Sequence, residues 1–240
     1  MTSPELSLVI PAYNEEKRLP VSLARIADWL GSRTPAISAE VLVVDDGSSD
    51  RTAAVAEKTA GGLGLAFRVI RLPENRGKGA AVRAGALEAK GAHVLVTDAD
   101  LSTPIAEYDR LRAVLDGGTD VVIASRGLLG SRIVVPQPWY RRRIGRVFPL
   151  LVRLLVTRAF VDTQCGFKLY RRAAAAALFE PLRHEGFAFD VEVLVRALKR
   201  GMRVREEAVE WRNSPESTVN ILRDPWKMLA ALFAIRRLRD

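Results

Sequence analysis

Short aliphatic, β-branched runs alternate with helix-like segments through the first half of the chain, and this alternation restricts the fold more than any other feature. Repeated strand–helix–strand units form a parallel sheet with helices on both faces. Strands buried on both sides are continuously apolar, as these runs are. The predicted strands are residues 6–10, 41–44, 67–70, 94–96 and 120–124, and the predicted helices cover about 15–30, 50–59, 78–90 and 104–115.

The alternation stops after residue 125. Residues 126–138 contain several Gly and Pro and predict a loop, and residues 139–160 mix clustered Arg with Leu and Val. Beyond them we predict a short strand at 165–170, helices at 172–179 and 190–200, a strand at 203–211 and a helix from 224 to 240 with a basic end. The length fits a single domain, 1–240.

Charge is divided unevenly between the two ends of the chain. Residues 1–120 carry 14 Lys and Arg against 17 Asp and Glu, whereas residues 121–240 carry 23 against 11. Such asymmetry indicates an anionic partner: nucleic acid, a membrane surface or an anionic substrate. The 48% of hydrophobic residues excludes a disordered chain, and the single cysteine excludes a disulfide scaffold. We see no signal peptide and no apolar stretch of about 18 residues, so we expect no spanning helix.

Two carboxylates follow the fourth predicted strand. In open parallel sheets ligands bind at the carboxyl ends of the strands, where Asp98 and Asp100 lie. Carboxylates combined with ligand phosphates suit Mg²⁺ or Mn²⁺, and the cation would neutralise a diphosphate leaving group. Solvated turn acids that cap the next helix are the alternative. The presence of Asp45 and Asp46 at another strand end favours the site.

Three further segments offer nucleotide contacts. A carboxylate of the pair Asp45 and Asp46 can bond a ribose or base, and the Tyr13 ring beside the Glu15 carboxylate suits a nucleobase. Lys78 lies in a Gly-rich basic loop before a helix, whose N-terminus can meet a phosphate. Ordinary turns are the alternative interpretation of all three.

The second half supplies cations. Arg126 and Arg212 could each clamp a phosphate or be merely solvated. The cluster Arg141–Arg143 is interleaved with aromatic and aliphatic residues, as in a helix that lies in a membrane interface, or in an ordinary surface helix. Cys165 is interpreted as a small buried residue rather than a nucleophile.

Four segments together resemble the family 2 glycosyltransferases with a GT-A fold: residues 9–16, 43–50, 75–79 and 97–102. Residues 162–170 and 187–192 resemble the dolichyl-phosphate β-glucosyltransferase branch, which is close to the dolichyl-phosphate mannose synthases. The resemblance implies a Rossmann-like α/β fold, in which a mostly parallel sheet is flanked by helices and followed by a basic amphipathic C-terminal helical region. Residues 1–125 would be its nucleotide-sugar-binding half and 126–240 its acceptor- and membrane-facing half.

The resemblance also implies roles for the matching residues. Nucleotide-sugar contacts are expected from Pro11, Tyr13, Glu15, Val44, Asp46, Lys78, Asp98, Ala99 and Arg212. Mg²⁺ or Mn²⁺ is expected on Asp98 and Asp100, and the acceptor phosphate on Arg126, Arg141, Arg142 and Arg143. The expected catalytic residues are Asp100, Arg126 and Asp190, with Asp190 as a positioner or base.

The implied reaction moves glucose from UDP-glucose to a polyprenyl (dolichyl) phosphate with inversion. Alignment and stabilisation of the leaving diphosphate would be the main tasks, since the acceptor phosphate is already ionised. We expect a peripheral enzyme on the cytoplasmic, inner face of the cell membrane, with no nucleic-acid partner. GDP-mannose as donor and a soluble acceptor are alternatives within the family. A nucleic-acid-binding module is the alternative from another class, although it would set Asp98 and Asp100 against a polyanion. The oligomeric state is not predicted.

Overall fold

The computed structural model describes residues 3–135, 147–213 and 225–238. Its strands are β1 (Leu6–Ala12), β2 (Ala39–Asp45), β3 (Phe67–Arg71), β4 (His93–Val96), β5 (Val121–Ser125), β6 (Arg132–Val135), β7 (Lys168–Arg171), β8 (Val204–Ala208) and β9 (Glu210–Arg212). Its helices are α1 (Leu19–Gly31), α2 (Thr52–Leu63), α3 (Lys78–Glu88), α4 (Tyr108–Asp116), α5 (Val147–Leu155), α6 (Arg172–Phe179), α7 (Phe189–Lys199) and α8 (Pro225–Arg236).

Seven strands form one sheet in the order β3–β2–β1–β4–β7–β5–β8, and β6 and β9 form a separate ribbon. Neighbours in the large sheet pair in parallel except at β7, which runs antiparallel to both β4 and β5. The predicted mostly parallel sheet is confirmed, and all five strands predicted in the first half are present. Strands from both halves of the chain share this sheet, because β7 and β8 come from the second.

The reversed strand β7 decides which segment reaches the ligand-binding edge. It pairs Lys168 with Val96 of β4 on one side and with Ile123 of β5 on the other. Continuing the β4 register by two residues sets Gly166 opposite Asp98, just beyond the carboxyl end of β4. The segment that precedes β7 therefore runs along the edge at which the parallel strands end.

The core lies on both faces of the sheet. Apolar residues of α1, α2 and α4 pack on one face, and those of α3, α6 and α7 on the other. A third cluster joins α5, α7 and α8 through residues such as Phe148, Val152 and Leu232. Within the described ranges, no helix has both the length and the apolar character needed to cross a bilayer.

Three segments differ from their predictions. The predicted loop at 126–138 contains β6, whose exposed residues lack the burial pattern of a core strand. The helix predicted from Pro104 begins as a 3₁₀ turn, Ile105–Glu107, because Pro104 has extended backbone angles and α4 starts only at Tyr108. The strand predicted at 203–211 divides into β8 in the large sheet and β9 in the ribbon.

Candidate active site

The loops after β1 and β2 are bonded to each other. The backbone amides of Asn14 and Glu15 donate to Ser48 Oγ at 3.0 Å and Thr52 Oγ1 at 2.7 Å. Asn14 has a left-handed backbone (φ 56°), and its side-chain oxygen accepts the Ser49 amide at 3.0 Å. These bonds fix the two loops as one frame at the edge of the sheet.

Arg18, at the start of α1, links this frame to the predicted metal site. Its Nε donates to Glu15 Oε2 at 2.5 Å, and its Nη1 lies 3.9 Å from Asp100 Oδ2. Burial raises the pKa of Glu15, although the hydrogen bond from Arg18 opposes the shift. The Tyr13 side chain nearby in sequence is exposed, whereas Pro11 is partly buried in β1. The sequence carried no signal that singled out Arg18.

The carboxylates after β4 face side-chain cations and their own turn. Asp98 Oδ1 accepts from Lys78 Nζ at 2.6 Å, and Asp100 Oδ1 accepts the Ser102 amide at 2.9 Å. Between them, the buried Ala99 is held by its carbonyl, which accepts from Ser22 Oγ of α1 at 2.6 Å. The predicted pair is thus brought together at one strand end.

The two carboxyl groups are shifted in opposite directions. Burial raises the pKa of Asp100, and the neighbouring Asp98 raises it further. Burial acts in the same direction on Asp98, but Lys78 and then Lys168 and Arg126 outweigh it, so the pKa of Asp98 is lowered. Asp98 is therefore an anion already balanced by neighbouring cations, and the charge of Asp100 is less fully compensated.

This donor set fits a divalent cation that binds together with a phosphate ligand. Mg²⁺ and Mn²⁺ are commonly held by one or two carboxylates, with the remaining positions taken by substrate phosphates and water. Asp98 and Asp100 are such a pair. In the described part of the chain, no group of three or more His, Cys, Asp or Glu side chains forms a metal cage.

Strand β7 and the segment before it add groups that the sequence did not predict. Lys168 is buried, and its Nζ donates to Asp190 Oδ1 at 2.6 Å and to the Cys165 carbonyl at 2.5 Å. A Cβ on Gly166 would overlap the Asp98 carboxylate, so any larger residue requires that carboxylate to move. Burial raises the pKa of Asp190, and Lys168 opposes that shift. Asp190 thus lies behind the site and holds Lys168 from α7.

Two predicted nucleotide contacts are directed into the protein. Asp46 is buried, and its carboxylate accepts the Arg76 amide at 2.9 Å, the Gly77 amide at 2.8 Å and Asn75 Nδ2 at 3.1 Å. Val44 is fully buried, so only its backbone could reach a ligand. Both roles stay predictions.

The N-terminus of α3 is already capped by the chain. The amides of Gly79 and Ala80 donate to the Glu185 carbonyl at 2.6 and 3.2 Å. The side chain of Lys78 pairs with Asp98, and the amides that follow it in α3 are bonded to the chain rather than free for a phosphate. The buried Glu192 of α7 holds the capping loop, since it accepts the His184 amide at 2.8 Å and His184 Nδ1 at 2.5 Å.

The predicted phosphate-binding arginines differ in how they are held. Arg126 forms a bidentate pair with Asp162, at 2.6 Å from Nε and 2.9 Å from Nη2. Arg212 donates its amide to the Ser102 carbonyl at 2.8 Å, but its guanidinium is exposed and pairs with Glu210. Arg141, Arg142 and Arg143 lie outside the described residues.

Known proteins resemble this chain in sequence and in fold. The model of Glycosyl transferase family 2 matches residues 7–179. A dolichyl-phosphate β-glucosyltransferase of Drosophila melanogaster is 41% identical over 219 residues, 86% of this chain and 67% of that protein. The Homo sapiens protein of that name is 39% identical over 217 residues, with the same coverage.

One solved structure is informative about the fold. Glucosyl-3-phosphoglycerate synthase from Mycobacterium tuberculosis, crystallised with Mn²⁺ and UDP-glucose, superposes with a TM-score of 0.69 over 99% of this chain and 80% of that chain. The sequences are 20% identical, so the likeness concerns the GT-A fold alone.

Proposed function

The chain belongs to glycosyl transferase family 2, and from that premise we propose that it transfers glucose from UDP-glucose to a polyprenyl phosphate. One observation carries the proposal: two metal-type carboxylates and several cations meet at the carboxyl end of β4. Asp98 and Asp100 lie beside Lys78 and Arg18, and the charge of Arg126 acts on Asp98. The names of the similar fly and human proteins support glucose as the sugar and a lipid phosphate as the acceptor.

The donor would bind across the ends of β1, β2 and β4. Asp98 and Asp100 would hold Mg²⁺ or Mn²⁺, which supplies positive charge to the departing diphosphate. Lys78 and Arg18 lie beside these carboxylates and offset part of their negative charge before the donor arrives. The remaining proposed nucleotide-sugar contacts are Pro11, Tyr13, Glu15, Val44, Asp46, Ala99 and Arg212.

The acceptor needs alignment rather than deprotonation. One oxygen of the ionised lipid phosphate forms a bond to the anomeric carbon, while the bond from that carbon to the UDP oxygen breaks and its electron pair leaves with UDP. A single displacement converts an α-linked donor into a β-linked product. Arg126 would contact the acceptor phosphate, as would Arg141, Arg142 and Arg143. Asp190, which is buried against Lys168, acts as a positioner in this scheme.

The acceptor half presents apolar surface for a lipid. Helix α5 packs through Phe148 and Val152 but exposes Val147, Leu150 and Leu154 on its other side. Three apolar residues of β6, Ile133–Val135, are also exposed. Arg153 lies among the exposed residues of α5 in sequence, Arg158 follows them, and both are exposed. We propose that it rests on the cytoplasmic leaflet, with Arg at headgroup level.

The test is a transfer assay with the full chain, radiolabelled sugar nucleotide, and polyprenyl phosphate in mixed micelles. Label from UDP-glucose should enter the organic phase in the presence of Mg²⁺ or Mn²⁺, and chelation by EDTA should abolish the transfer. Parallel reactions with GDP-mannose test the donor, and reactions with phosphoglyceric acid test a small acceptor.

Two outcomes would overturn the proposal. Faster transfer from GDP-mannose would reassign the donor, and label in phosphoglyceric acid without lipid product would reassign the acceptor. The matched control is Asp109→Asn, since Asp109 is a surface carboxylate of α4 that is not among the proposed site residues.

A further inference from the structure

Arg126 is held by one carboxylate along three separate bonds. Asp162 Oδ2 accepts from Arg126 Nε at 2.6 Å and from the Arg126 backbone amide at 3.0 Å, and Oδ1 accepts from Nη2 at 2.9 Å. A bidentate pair of this kind fixes the plane of the guanidinium as well as its position. The additional bond to the backbone ties the carboxylate to the end of β5.

Asp162 is in turn immobilised from two sides. The amides of Val161 and Asp162 donate to the two carboxylate oxygens of Glu206 in β8, at 2.7 and 2.9 Å. The Gln164 amide donates to Asp162 Oδ1 at 3.1 Å. The Asp162 residue is only 6% exposed. Because these bonds hold the Asp162 carboxylate in place, they also hold the Arg126 guanidinium that it binds.

The guanidinium keeps a free side for a ligand. Its Cζ lies 5.6 Å from the centre of the Trp211 ring, and its side chain is 30% exposed. Of its five N–H bonds, two are taken by Asp162, and the others find no hydrogen-bond partner among the residues that the structure describes. These donors are therefore available to an oxyanion, and the charge of Arg126 acts on the Asp98 carboxylate.

A second assembly with the same parts serves as an internal comparison. Arg33 makes a bidentate pair with Asp109 at 2.7 and 3.0 Å, and its Cζ lies 4.5 Å from the centre of the Trp29 ring. The Asp109 side chain is 49% exposed, whereas the Asp162 side chain is 8% exposed. The pair on the surface lacks the buried support that Asp162 has.

We propose that Asp162 is a positioning residue, which orients the Arg126 guanidinium toward the phosphate of the acceptor. The inference rests on the proposed function for the identity of that phosphate. Asp162 does not touch the substrate in this scheme; it acts through Arg126. Because its negative charge opposes anion binding, its contribution must be geometric rather than electrostatic.

The experiment is a double-mutant cycle in the transfer assay with UDP-glucose and polyprenyl phosphate. Its members are the wild type, Asp162→Asn, Arg126→Ala and the double variant, with Asp109→Asn as the matched control. Misplacement of a positioned group by about 1 Å costs up to about 100-fold in rate, so we expect Asp162→Asn to lower kcat by about 10- to 100-fold. KM for polyprenyl phosphate should not rise, since a negative charge has been removed.

The cycle distinguishes action through Arg126 from independent action. In the Arg126→Ala background, Asp162→Asn should change kcat by less than about twofold, because residues of one unit are not additive. Guanidinium ion at millimolar concentration should partly restore Arg126→Ala but not the double variant. Multiplied losses in the double variant, or wild-type kcat in Asp162→Asn, would overturn the proposal.

A structural measurement keeps the inference separate from the proposed function. If the wild type transfers to another acceptor, the lipid assignment fails, and the same cycle is measured with that acceptor. A crystal structure of Asp162→Asn gives an answer without any activity. The guanidinium should leave its present position, and its persistence over Trp211 would refute the positioning role. Thermal melting of each variant identifies a loss that comes from unfolding.

Discussion

The carboxylates after β2 and those after β4 look alike in sequence but have different partners. Asp46 accepts two backbone amides and one side-chain amide from residues 75–77, and Asp45 accepts the Ser48 amide at 3.0 Å. Asp98 and Asp100 instead face the side-chain cations Lys78 and Arg18. Backbone amides cannot leave without unfolding a loop, whereas flexible cationic side chains can exchange one anion for another.

The difference separates carboxylates that hold the chain from carboxylates that are available to a ligand. Glu192 belongs to the first class with Asp46, because it accepts bonds from the backbone of a loop. Asp162 combines both kinds of contact, because it accepts backbone amides and also holds the Arg126 guanidinium. Gly166 is part of the site around the second class of carboxylates, because it leaves room for the Asp98 carboxylate. Substitution of a carboxylate that only holds the chain should cost stability, and substitution of one that is available to a ligand should cost turnover.

The largest effect is expected for Asp100→Ala. Loss of this carboxylate removes a proposed metal ligand and should lower kcat on the order of 1,000-fold, as for loss of a strong transition-state contact. The melting temperature should stay close to that of the wild type, because among the described residues Asp100 accepts one backbone amide, that of Ser102, and pairs only at 3.9 Å with Arg18. Transfer assays and circular-dichroism melting measure the two. A large fall in melting temperature would place Asp100 with the carboxylates that hold the chain.

For Asp46→Ala we expect the opposite of Asp100→Ala, a larger loss of stability than of turnover. The substitution leaves the Arg76 and Gly77 amides without their acceptor, and unpaired buried donors cost about 1–3 kcal/mol each. We expect the free energy of unfolding to fall by about 3–4 kcal/mol. Urea denaturation measures it. Unchanged stability together with lost UDP binding would instead make Asp46 a ligand contact, as the sequence predicts.

Glu192→Gln tests a carboxylate that holds the chain, because the stability that its charge contributes depends on pH. Burial alone would raise the pKa of Glu192, but bonds from His184, Arg196 and the Arg183 amide lower it from 4.5 to about 2. A depressed pKa contributes stability that is present above about pH 4.5 and is lost as the pH falls toward 2, about 3 kcal/mol in total.

The variant lacks this titration. The stability of the wild type should therefore exceed that of Glu192→Gln near neutral pH, and the difference should shrink between about pH 4.5 and 2. Urea titrations at several pH values give the comparison. A difference that is constant over this range would show that the charge of Glu192 is not what holds the 183–185 loop.

The smallest effect is expected for Gly166→Ala. The added methyl group would meet the Asp98 carboxylate and displace it, which should lower kcat by about 10- to 30-fold. Gly61→Ala is the matched control, because nothing lies within 4 Å of a Cβ at that position of α2. Equal kcat values for the two variants would show that Asp98 does not need its present place.

Much of the fold could be predicted from the sequence, because local patterns specify it. Buried parallel strands are continuous apolar runs, and α6 occupies the residues predicted for it, Arg172–Phe179. The Asp98 and Asp100 pair was found by the rule that ligands bind at strand ends. The strand β6 was missed because all of its residues are exposed, so it lacks the alternation of buried and exposed residues that marks a strand on a core.

Local patterns in the amino-acid sequence were enough to predict the α/β class, the family and the strand end that carries Asp98 and Asp100, since each depends on residues close together in the chain. The antiparallel insertion of β7 between β4 and β5 is visible only in the folded chain. That insertion sets Gly166 against Asp98 and buries Lys168 beneath the site. Arg126 likewise acquires Asp162 from 36 residues away. Contacts of this kind depend on strand order and direction, which no local pattern of residues encodes.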